Sequence, residues 1–112
     1  MNATSSVRLI AGEAHSAAGL LNYQEGAVVS RTLAKHAAGS VTLFAFDEGQ
    51  GLSEHTSPFD ALVFLLEGTA EIRVSGKAIP AKAADLVLMP ANEPHGLHAT
   101  TRFKMMLTML RP

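Results

Sequence analysis

The sequence predicts an all-β fold, a barrel or sandwich formed by one domain. Three observations carry that prediction. From Ala27 onward, short apolar or alternating runs recur at close intervals. Glycine, proline, serine and acidic residues cluster between them, as turns do between the strands of sandwiches and barrels. No stretch keeps a helical apolar period for more than two turns.

In chain order the predicted strands are 27–33, 40–47, 61–66, 69–74, 77–81, 86–89 and 102–110. The fourth shows the clearest pattern. Ala70, Ile72 and Val74 alternate with Thr69, Glu71 and Arg73, so one side is core and the other wet. Two glycine turns, Glu67-Gly68 and Ser75-Gly76, read as two-residue hairpins. The methionine-rich end, residues 104–110, reads as a strand with alternate members in the core, where methionine fills irregular gaps. Residues 1–25 are the least patterned. They are read as an N-terminal arm or edge strand with a short helical turn within 16–23, and residues 26–112 as the barrel domain.

Composition narrows the function classes. A chain of 112 residues, 47% apolar and 17% charged, buries a core without disulfides and is not disordered as a whole. Net charge is −1 and the basic residues are scattered, so no basic face for nucleic acid is expected. Every apolar run falls far short of the roughly 20 residues of a membrane span. The first residues lack the basic and apolar segments of a secretory signal, which makes the cytoplasm the expected location. With no cysteine, any metal must use imidazole, carboxylate, amide or water ligands. Nucleophile-elbow, phosphate-loop and dinucleotide motifs are absent.

Two segments carry a resemblance to the cupins. The first cupin pattern runs glycine, five residues, His-x-His, three or four residues, glutamate, six residues, glycine. Gly49, His55-Thr56-Ser57, Ala61 and Gly68 stand at those positions. The second runs glycine, five residues, Pro-x-Gly, two residues, histidine, three residues, asparagine. Ala84, Pro90-Ala91-Asn92, His95 and Ala99 occupy it. The resemblance covers about residues 40–110 and implies a double-stranded β-helix, the RmlC-like jelly roll, with ligands at the barrel mouth. The wording EGQGLSEHTSPFDAL, LMPANEPHGLHA and RFKMMLTML is similar to small single-domain cupins of the conserved-barrel type without assigned function.

The resemblance also implies a metal set of three histidines and one glutamate, from which this chain departs. His55 and His95 match ligand positions, whereas Ser57 and Ala61 replace a histidine and the glutamate. Alanine coordinates nothing, and a neutral hydroxyl is a poor ligand. Asp60 would complete a two-His, one-carboxylate set, but strand parity turns it away from the face of Ala61 unless Pro58 induces a bulge. Gln50 offers an amide oxygen from the loop before His55, and His98 falls on the face opposite His95. His15 and His36 read as surface residues, and Glu54 as a solvated neighbour of His55.

The expected function is binding of a small organic ligand by His55, Ser57, Asp60, His95 and Gln50. The alternative is a metal-dependent dioxygenase or isomerase in which His55, His95 and Asp60 hold iron, manganese, nickel or zinc. Met89 and Phe64 are candidates for an apolar pocket wall. The resemblance further implies a homodimer, for which the arm and strand 27–33 are the expected surface, since an apolar edge that long is otherwise exposed.

Overall fold

The computed structural model describes residues 3–6 and 8–112. Among these the chain forms β1 (Ala3–Ser6), β2 (Val28–His36), β3 (Gly39–Phe46), β4 (Gly51–His55) and β5 (Asp60–Glu67). It continues through β6 (Thr69–Val74), β7 (Lys77–Lys82), β8 (Leu86–Met89), β9 (His95–His98) and β10 (Phe103–Leu110). Two sheets result, ordered β1-β2-β3-β10-β5-β8 and β4-β9-β6-β7. The pairs are antiparallel except β1 with β2.

The alternation predicted from sequence decides which faces meet. Ala70 and Ile72 of β6, with Ala81 and Leu97, pack against Phe46, Val63, Leu65, Phe103 and Met105 of the larger sheet. Phe46 and Phe103 pair in register and stack with centroids 4.5 Å apart. Each large side chain removed from water here contributes about 1.5–3 kcal/mol. On β10 the inward positions, Met105, Leu107 and Met109, belong to this core, as the methionine pattern required.

All seven predicted strands form, with ends shifted by up to three residues. Two others had no apolar pattern to show them, and β1 lies at the edge of the larger sheet. β4 and β9, GLSEH and HGLH, are short and polar and become strands only because β9 pairs with both β4 and β6. The expected hairpin at Glu67-Gly68 is not one. β5 and β6 lie in different sheets, so this turn is a corner between them. Gly68 has φ +79°, and a Cβ there would sit 1.9 Å from the Arg102 carbonyl oxygen. Ser75-Gly76 does join paired strands, with φ of 50° and 81°, as a two-residue hairpin requires. Strand β2 is not an edge either, since β1 and β3 flank it.

The helical turn expected within 16–23 appears as one 3-10 turn at Ala18–Leu20. It belongs to a segment lying over the outer face of the larger sheet, where Leu20, Leu21 and Tyr23 cover Leu43, Ala45, Leu66 and Met106. Polar ties hold it down. The Tyr23 hydroxyl donates to Glu67 at 2.7 Å, Lys104 Nζ donates to the Ala18 carbonyl at 2.6 Å, and Arg31 donates to the Leu20 carbonyl. Burial and the Glu67 carboxylate hold the tyrosine proton on well above its ordinary range.

Candidate functional site

His55 ends β4 and His95 begins β9, and the two are partners across that pair. Their rings stand 4.4 Å apart, centroid to centroid, with planes at 67°. A bulge brings this about. Leu52 pairs with Leu97 and His55 with His95, so three steps along β4 match two along β9. Without the extra residue, His55 would take the face opposite Leu52. Gly96 makes room, because a Cβ there would lie 3.0 Å from the Leu52 carbonyl oxygen.

The two rings are anchored alike. His55 Nδ1 lies 2.8 Å from the Ser53 carbonyl oxygen, and His95 Nδ1 lies 3.1 Å from that of Glu93. A carbonyl only accepts, so each Nδ1 donates, and each neutral ring keeps its lone pair on Nε2. Neither Nε2 has a hydrogen-bond partner among the described residues. His95 is 3% exposed, while His55 stands open to solvent.

The segment after β4 and the turn before β9 are tied to each other. The Asp60 carboxylate accepts from the Ala91 N–H at 2.9 Å, and the Ser57 carbonyl accepts from the Asn92 N–H at 2.7 Å. Ser57 Oγ accepts from the Phe59 N–H at 3.2 Å, closing its own turn. Asp60 thus fastens the 90–94 turn. Gln50 sits at the far end of β4, its main chain bonded to Asp47 and Ala99, roughly 16 Å from His55 at about 3.3 Å per residue.

Of the five residues expected to line the site, His55 and His95 therefore meet, Ser57 and Asp60 serve the adjoining loops, and Gln50 lies apart. Ala61, where the glutamate would stand, is buried between Met89 and Met109 in register. No group of three or more histidine and acidic side chains placed to hold a metal occurs among the described residues. The side chains present do not supply the three-histidine, one-glutamate set. His98 is exposed on the outer face of β9, as parity required.

Apolar groups flank the imidazoles. Val74 pairs with His95 across β6 and β9, and Leu52 precedes His55 on β4. Phe44, Leu107 and Met109 of the facing sheet are half-buried against the same core. Met89 shares this interior, whereas Phe64 takes the outer face of β5, so only the first of the two suggested wall residues is placed to serve. An open cleft of about 650 Å³ lies elsewhere, bordered by Glu71, Pro80, Lys82 and Thr100. It contains no histidine, and the paired imidazoles remain the better candidate for chemistry.

A barrel of two mainly antiparallel sheets is the architecture of the cupins. The cupin domain model matches residues 42–110, and the chain belongs to that family. Among solved structures it is similar to a conserved protein of unknown function from Streptococcus pyogenes, at 30% identity and a TM-score of 0.88 over 93% of this chain and 91% of that one. A cupin superfamily protein from Desulfitobacterium hafniense gives 29% identity and 0.87 over 93% and 95%. A cupin 2 conserved barrel domain protein from Leptotrichia buccalis gives 36% and 0.81 over 83% of this chain and 45% of that one. No curated protein matches the sequence. No helix among the described residues is long and apolar enough to cross a membrane.

Proposed function

We propose that this cupin binds a small organic molecule at the barrel mouth. The observation that carries the reading is the matched anchoring of two imidazoles, each held through Nδ1 and each left with an uncommitted Nε2. Two acceptors side by side suit a ligand with hydroxyl or N–H donors, and the apolar neighbours Leu52 and Val74 suit a hydrocarbon or aromatic body. Such a site grips by complementarity and needs no third charged ligand.

One feature favours a second reading. Histidines that ligate metals commonly donate their other ring nitrogen to a carbonyl, as both do here. Two imidazoles hold a first-row ion weakly, so a metalloenzyme would have to complete its coordination with substrate or water. The two readings separate on protein purified without a histidine tag. Denaturing extraction followed by mass spectrometry is expected to release a stoichiometric organic compound that His95→Leu no longer retains. Near-stoichiometric iron, manganese, nickel or zinc, lost in His55→Ala, would replace the organic-ligand reading with the metal-dependent one.

A further inference from the structure

Arg31 is a half-buried charge that the barrel mouth leaves without a task. It stands on β2, on the outer face of the larger sheet, and donates to the Leu20 carbonyl. The other groups beneath the covering segment are matched. Lys104 Nζ is bonded to the Ala18 carbonyl and lies 5.0 Å from the Tyr23 ring centroid, and Glu67 accepts from the Tyr23 hydroxyl. Arg31 has no carboxylate within ion-pair distance among the described residues. Its Nε is closed off from water and has no hydrogen-bond partner there. A cleft of about 490 Å³ opens beside it, bordered by Leu20, Asn22, Gln24, Val29 and Arg31, and Arg31 is the one charged group in its lining.

We propose that Arg31 and this cleft form a second binding site, for a small organic carboxylate, on the sheet face away from the imidazoles. A guanidinium presents two parallel N–H donors along the edge shared by Nε and Nη2, and the two oxygens of a carboxylate match that edge. Nη1 lies off it. Its bond to the Leu20 carbonyl therefore fixes the plane of the group and leaves the fork unspent. A charged donor buried without an acceptor destabilises the free protein, and an incoming oxygen relieves it. Nη2 takes the first oxygen from the cleft, and the second closes over Nε as the exposed rim side chains Asn22 and Gln24 adjust.

The lining narrows the ligand further. Leu20 and Val29 offer apolar surface to a hydrocarbon body, and Asn22 offers an amide to a second polar group. Tyr23 also borders the cleft, and burial with the Glu67 carboxylate keeps its proton on, so it adds no negative charge to repel an anion. The volume suits a single small molecule. With one cation in an open cleft, a simple carboxylate binds weakly, with a Kd of about 1 mM.

Nitrogen-15 NMR follows the Arg31 Nε–H directly, with benzoate as the probe. Benzoate should move that resonance and the amides of Asn22, Tyr23 and Gln24 to saturation, leaving the His55 and His95 rings unchanged. Benzamide, the same ring without the charge, should move none of them. Inorganic phosphate, which has no apolar body, should bind at least tenfold more weakly. Arg31→Lys keeps the charge but loses the fork, and should weaken benzoate at least tenfold. Asn22→Asp leaves the Leu20 bond in place and sets a like charge at the rim, so it should weaken benzoate as much even if the lysine variant unseats the 3-10 turn. No saturable shift, an equal shift with benzamide, phosphate as tight as benzoate, or unchanged affinity in both variants would overturn the proposal. So would an Arg31 Nε–H that moves with protein concentration alone, because its acceptor would then come from a second copy of the chain.

Discussion

The two motif segments, residues 49–68 and 84–99, have drifted from the cupin pattern in different ways. In the first, the changed positions are side chains that would carry chemistry: Ser57 closes its own turn and Ala61 is packed between methionines. In the second, two of the three changed positions are glycines, and the backbone has kept their conformation. Ala84 has φ +73° and Asn92 has φ +66°, both in the region glycine occupies without strain. Function-bearing atoms were lost where nothing in the fold required them, and main-chain geometry persisted where the turns did.

The contrast is most sharply broken by restoring the first segment. Ser57→His with Ala61→Glu should raise affinity for divalent metal on the order of a thousandfold, since four donors replace two. Titration of metal-stripped protein with zinc or manganese measures it, and a failure to bind would show that the 56–61 loop no longer holds the ligand geometry.

Next in size are the glycines. Gly68→Ala should cost about 3 kcal/mol or more, because a Cβ would meet the Arg102 carbonyl in a left-handed backbone. Urea unfolding reads it. Asp60→Ala removes the acceptor for the Ala91 N–H and should cost about 1.5 kcal/mol. It should also change the His95 ring shifts in NMR spectra, because Asp60 holds the turn leading into β9.

The opposite sign is expected at the opening position of the second segment. Ala84→Gly should stabilise by about 1 kcal/mol, relieving a non-glycine residue at positive φ. The smallest effect concerns Asp85, whose carboxylate accepts from the Lys82 N–H and is held below the usual range by that bond and by the Lys82 ammonium. A depressed pKa gives stability that is present above the ordinary value near 4 and lost as pH falls through the folded value. Asp85→Asn should therefore flatten the acid limb of a stability-against-pH curve, with a small loss at pH 7 and almost none in acid.

The legibility of these features follows their range. Strands with strong alternation, such as 69–74, could be read because one sheet face is core and the other solvent, a property of neighbouring residues alone. The polar β4 and β9 could not, because their strand character comes from partners more than 20 residues away. Strand parity correctly turned Asp60 from the face of Ala61, yet the bond to Ala91 that gives it a task joins loops 31 residues apart. Gln50, grouped with His55 by proximity in sequence, is separated from it by the length of an extended strand.

The sequence by itself determined an all-β cupin barrel, the seven patterned strands, and the retention of His55 and His95 beside Ser57 and Ala61, which replace a histidine and a glutamate. These follow from local periodicity and motif spacing, which need no knowledge of the third dimension. Only the tertiary structure decided that a bulge over Gly96 brings the two imidazoles together, that both leave Nε2 uncommitted, and that Glu67-Gly68 is a corner between sheets. Each depends on pairing between distant segments, where small differences in register move a side chain from one face of a sheet to the other.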